Sequence, residues 1–288
     1  MIETPKLSSS ALIVNLSLSV WTGRKLDKSV SQEIDSNKNT KSRAGNYHKN
    51  LFAGSHTLEQ VSKIAGEVRT WHYLMTQPWG DNGDRLLSVA VLPEYKAELE
   101  SFNDRFVDAV NNFLNEYATS VSAAAFQLGD LFNRNDYPDP TSIADKFAFK
   151  YSFAPVPTSG DFRVDIEEEG LKQLREQYEA ATSAKMEAAM KDAWERVYAV
   201  MQRMSERLTD DEKGKHKIFR DSLVDNALEV CSLLKHFNFT NDRNLHELRL
   251  GLENTLRGVD AEGLRLDVTT RHNVKSEVDK LIDKFNLI

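Results

Sequence analysis

The chain has 288 residues, 40% of them hydrophobic and 28% charged, with a formal net charge of −7. That is ordinary globular composition for one or two domains, and it excludes a collagen-like or low-complexity chain. One cysteine, Cys231, excludes an intrachain disulfide framework; it lies in the apolar run Leu228 to Leu234 and reads as a buried core thiol. No apolar stretch reaches the roughly 20 residues of a membrane span, and Ala11 to Val20 lacks the basic start and small-residue cleavage site of a signal peptide. No membrane partner is expected, and the protein is expected to stay in the cytoplasm. Charge is uneven: residues 1–53 hold eight Lys/Arg against four Asp/Glu, a balance of +4 that leaves −11 for the remainder.

Leu12, Val14, Leu16, Leu18 and Val20 alternate with Asn15, Ser17 and Ser19, which predicts a half-buried strand. From Thr22 to Asn50 no period is sustained, and the polar, turn-forming run Asp35 to Asn46 predicts a long exposed loop of the kind that is commonly functional. A helix is expected from Thr57 to Thr76, a turn at Pro78 to Asp84, and a short apolar run at Leu86 to Leu92. Tyr95, Leu99, Phe102, Phe106, Val110, Phe113 and Tyr117 then recur at steps of three or four, predicting an amphipathic helix from Pro93 to Phe132.

Alternation at Phe147, Phe149, Tyr151 and Phe153, and again at Phe162, Val164 and Ile166, predicts a hairpin. Between Leu171 and Lys213 there is neither Gly nor Pro, and Met190, Trp194, Val197, Met201, Met204 and Leu208 form a heptad seam. Unbroken from Glu167 to Leu208, that helix would be about 63 Å long at 1.5 Å per residue, against a radius of gyration of about 19 Å for a compact chain of this length. Two uses of the seam are open, a core within the chain or an interface between subunits. The length of the helix leads us to expect the second, a homo-oligomer assembled on Met190, Trp194, Val197, Met201, Met204 and Leu208. Further helices are expected from Thr209, through Leu223 to Phe237, Leu245 to Leu256 and Val274 to Phe285. The fold class is therefore α+β, mainly α, a long-helix bundle with a small antiparallel sheet, divided into an N-terminal α+β region (1–140) and a hairpin plus helix bundle (141–288).

The chemistry-bearing motifs are sparse. There is no glycine-rich phosphate loop and no nucleophile elbow. His246-Glu247 lacks a second His at metalloprotease spacing, and Asp81-Asn82-Gly83-Asp84 lacks the alternating ligands and closing Glu of a calcium loop. No catalytic residue, metal or cofactor is expected, and the chain is read as a non-enzyme. One constellation stands above background. Arg24, Lys25, Lys38, Lys41, Arg43 and Lys49 surround Tyr47, with Trp71 a short distance on. Cations neutralise phosphates and aromatic faces stack on unpaired bases, so this mixture suits single-stranded nucleic acid.

Trp21 to Asp27, Arg43 to Leu51, Ser122 to Phe132 and Gly160 to Ile166 together resemble a family of tailed-bacteriophage proteins of unknown function, over most of the chain. Some members of that family are encoded near MoxR-type ATPases and von Willebrand factor A proteins. The resemblance implies an adaptor-like, non-structural phage protein in the host cytoplasm, with an AAA+ ATPase or another phage protein as partner. It assigns no catalytic residues. The leading expectation is thus a phage interaction and assembly protein, and the alternative is a single-strand binding or annealing protein.

Overall fold

A computed structural model describes residues 4–158, 168–210 and 214–285. It is 67% helical with one four-stranded sheet, so the class is α+β, mainly α. Among the described residues no helix is long and apolar enough to cross a membrane. The chain forms two compact units that interleave: residues 1–15, 75–93 and 153–288 in one, and 16–74 and 94–152 in the other. The single cut expected near residue 140 does not separate them. Hydrophobic periodicity reports which face of an element is covered, not which distant segment covers it.

In the first unit, helix α1 (Thr4–Ser10) leads into strand β1 (Ala11–Ser19), whose Ala11 and Val14 are fully buried. Ala11 to Asn15 pair antiparallel with Ser88 to Asp84, and Asn15 Nδ2 donates to Asp84 Oδ1 at 3.0 Å. The remaining named elements up to the long helices are strand β2 (Arg24–Leu26), helix α2 (Lys28–Asn37), strand β3 (His48–Asn50), helix α3 (His56–Met75), and strands β4 (Gln77–Pro78) and β5 (Asp84–Ser88). β4 and β5 make the expected turn at Pro78 to Asp84, closed where the Trp79 and Gly80 amides donate to the Asp84 carbonyl. Helix α4 (Leu92–Leu128), the short helix α5 (Pro140–Ala144) and strand β6 (Ala148–Pro155) follow, and the sheet order is β4-β5-β1-β6. The second arm of the expected hairpin, Phe162 to Ile166, lies outside the described residues.

The second unit is built on α3 and α4. Leu99, Phe102, Phe106, Phe113, Tyr117, Val121 and Ala124 form one stripe of α4, and its central part meets Val61, Ile64 and Val68 of α3 in a single apolar core. Phe147 and Phe149 rest on that core, Phe149 edge-on to Phe106. α4 stops at Leu128 rather than Phe132, because Gly129 adopts φ +50°, the left-handed conformation that commonly ends a helix.

The first unit's helical part is α6 (Glu168–Leu208), α7 (Ser222–Phe237), α8 (Arg243–Thr255), α9 (Ala261–Leu266) and α10 (Val268–Lys284). α6 is unbroken over 41 residues, and its acidic start suits the positive end of the helix dipole. Buried positions begin only at Thr182. From there Met186, Met190, Val197, Met201, Met204 and Leu208 are buried, and α6 packs on α7, α10 and β4 of the same chain. Of the helix expected to restart at Thr209, residues 211–213 lie outside the described residues, and 214–221 are not helical. Asp210 instead bridges to His216, and α7 begins at Ser222.

Candidate functional site

The stretch 22–50 is not the structureless loop expected. Gly23 takes φ +62°, a left-handed conformation that favours glycine, and a Cβ there would crowd the tip of Leu58 on α3, 2.9 Å away. β2 then pairs antiparallel with β3, Arg24 opposite Asn50 and Lys25 opposite Lys49. Asp27 caps α2: its Oδ1 accepts from the amides of Ser29 at 3.1 Å and Val30 at 3.2 Å. Buried Ser31 ties the two arms together, donating to the Asp27 carbonyl at 2.7 Å and accepting from the Tyr47 amide at 3.0 Å. After α2 the chain turns through Asn39, at φ +53°, and the Asp35 carboxylate holds the Ala44 amide at 3.2 Å. The result is a small, locally ordered basic lobe.

The lobe sorts the predicted cations into two groups. Arg24, Lys25, Lys38, Lys41 and Arg43 are exposed, and none makes an ion pair among the described residues. Lys28, not singled out in the sequence, is a sixth cation of the same kind. Lys49 belongs to the other group. It is buried, with Nζ 3.1 Å from Asp27 Oδ2, 2.8 Å from Asp136 Oδ2 and 2.8 Å from the Leu131 carbonyl. Burial pulls its pKa down, but hydrogen bonds and charge from Asp136 and Asp27 outweigh that and leave it above the ordinary value. Asp27 is pushed down to about 2 by the Ser29 hydroxyl, the Val30 amide and Lys49. Lys49 therefore has its anions within the protein and is withdrawn from the phosphate-binding set.

Trp71 is withdrawn as well. It stacks on Tyr95 at 4.7 Å, with Phe102 at 5.3 Å, while His72 Nδ1 lies 2.6 Å from the Tyr95 hydroxyl. Half-buried against the core, it has one face stacked on Tyr95. Tyr47 keeps its place. It is half-buried and lines an open hollow of about 280 Å³ with Ile34, Lys38 and Thr40. Ile34 is 47% exposed there, so the hollow joins apolar surface to one cation, Lys38, and one carboxylate, Asp35.

The seam Met190, Trp194, Val197, Met201, Met204 and Leu208 is not an open subunit surface. Val197, Met201, Met204 and Leu208 are completely buried. Trp194 Nε1 donates to Asp242 Oδ2 at 3.1 Å and its ring meets Phe285. Arg271, 1% exposed, donates to the carbonyls of Leu208 at 3.1 Å and Arg207 at 2.8 Å, closing the end of α6. Self-association on those six residues is corrected accordingly: the stripe found its partners in the same chain.

Cys231 is buried as expected, and burial pushes its thiol up to about 12. Among the described residues no group of three or more His, Cys, Asp or Glu side chains is placed to hold a metal ion. No protein-family model, curated protein or solved structure matches the chain.

Proposed function

We propose that the protein is a non-enzymatic binding protein whose basic lobe takes single-stranded nucleic acid. One observation carries this reading: Arg24, Lys25, Lys38, Lys41 and Arg43 are exposed and without ion pairs among the described residues, in a lobe with a Tyr47-lined hollow. Exposed cations neutralise phosphates and release counterions, and a half-buried tyrosine offers a face to an unpaired base. A net charge of −7 does not oppose this, since binding follows the local field. The resemblance of Arg43 to Leu51, among other stretches, to tailed-bacteriophage proteins supports an adaptor-like use in infection, with a MoxR-type AAA+ ATPase or another phage protein as protein partner.

The test is a fluorescence-anisotropy titration of the full chain with a labelled single-stranded oligonucleotide at several salt concentrations. If four or five phosphates are neutralised, the log–log salt slope is roughly −2.8 to −3.5, and the double variant Lys41→Glu/Arg43→Glu binds at least about tenfold more weakly. No binding, or binding indifferent to salt, overturns the reading.

A further inference from the structure

The helices after residue 220 carry a second surface of opposite character. Between α7 and α9 lies a groove of about 560 Å³. Val224 and Ala261, both buried, form its floor. Its walls are Leu228, 40% exposed, and Leu266, 76% exposed. Two leucines held open beside a groove of that size form apolar surface that no described residue of this unit covers.

The charge around the groove has one sign. Its one cation, Arg265, is spent internally: its guanidinium lies 2.5 Å from Asp221 Oδ1, donates to the Phe219 carbonyl at 2.9 Å and sits over the Phe219 ring. Asp225 on α7 and Glu262 on α9 are exposed and make no ion pair among the described residues. Asp260 adds a third carboxylate, capping α9 through the Gly263 amide. Such a rim repels phosphates and acidic peptides.

We infer that this groove docks a basic amphipathic helix from a partner protein. Leucine-sized anchors on one face of the incoming helix would fill the space between Leu228 and Leu266, and Lys or Arg flanking that face would meet Asp225, Asp260 and Glu262. Apolar burial supplies affinity, and the carboxylates select charge and orientation. This surface is chemically independent of the basic lobe, so either assignment can fail while the other stands.

The experiment uses the full chain and two labelled synthetic peptides of roughly 14 residues, about four helical turns. One is built from Leu and Lys in amphipathic order, the other from Leu and Glu in the same order. The Leu/Lys peptide is expected to bind and the Leu/Glu peptide to bind at least about tenfold more weakly, the equivalent of about 1.4 kcal/mol. Leu266→Asp and Asp225→Lys, both at exposed positions, are each expected to weaken the Leu/Lys peptide about tenfold with thermal unfolding unchanged. Lys41→Glu/Arg43→Glu leaves it unaffected. Equal binding of both peptides, or binding that ignores Leu266→Asp and Asp225→Lys, overturns the proposal. So does self-association of the peptide-free protein that Leu266→Asp abolishes, because the occupant is then a second copy.

Discussion

Lys49 Nζ lies 2.8 Å from Asp136 Oδ2, joining the β3 arm of the basic lobe to the segment that follows α4. With Asp27 on its other side, this buried ammonium holds together two carboxylates whose side chains are 12% and 14% exposed. Lys49→Met should therefore destabilise the protein by about 3 kcal/mol, because the two carboxylates remain with no cation between them. Lys41→Met, at an exposed position without an ion pair, should change stability by less than about 0.5 kcal/mol. Urea denaturation of both variants measures the contrast.

The same triad sets a pH dependence. Asp27 is lowered in the folded protein from 3.8 to about 2, so its contribution is present above 3.8 and disappears as pH falls through about 2. Lys49 is raised above 10.5, so its contribution is complete below 10.5 and disappears as pH rises through the folded value. The stability difference between wild type and Asp27→Asn should be level from pH 3.8 up to the Lys49 limit, and should vanish near pH 2. Denaturant melts of both proteins across pH test this. A difference that persists below pH 2 contradicts the linkage.

Tyr47 and Trp71 should separate cleanly. Trp71→Ala removes a ring stacked in the core and should cost about 3 kcal/mol or more of stability, while the fraction that stays folded binds oligonucleotide normally. Tyr47→Ala should leave melting nearly unchanged and weaken single-strand binding about tenfold, the effect of losing one base–aromatic stack. Anisotropy and thermal melts on the two variants give both readouts.

Met201 is fully buried on α6. Met201→Ala should destabilise by about 2–4 kcal/mol through the cavity left behind, with no change in the mass measured in solution at protein concentrations where the fold survives. If Met201→Ala instead dissociates an oligomer, the seam joins subunits after all. Mass photometry beside denaturant melts distinguishes these outcomes.

Long periodic segments were the legible part of the fold. The α4 stripe from Tyr95 to Tyr117 and the α6 stripe from Met190 to Leu208 are buried where their spacing puts them, except Val110 and Trp194, which are half-buried beside the buried Ala109 and Ala193. What the α6 spacing could not carry was the identity of its cover, since a heptad packs equally well on a neighbouring helix or a neighbouring molecule. α2 was missed because it has few apolar residues, and its signal was the cap Asp27 followed by Ser29. Trp71 could have been placed in the core from Ile64 and Val68, which precede it at helical steps on α3. The fate of Lys49 had no local signal, because Asp136 and Leu131 meet it only through the tertiary fold.

The interleaving of the two units has a consequence during synthesis. Residues 16–74 and 94–152 complete their unit once the chain has been translated through position 152. The other unit starts with residues 1–15, yet its long helices arrive only after 153. As the ribosome works, β1 can find β5 early, while the apolar surface that α6 to α10 supply must wait. A nascent chain halted near residue 140 therefore holds neither unit whole, and protease protection of stalled translation products should rise in two steps, the first near 152 and the second only when α10 has emerged.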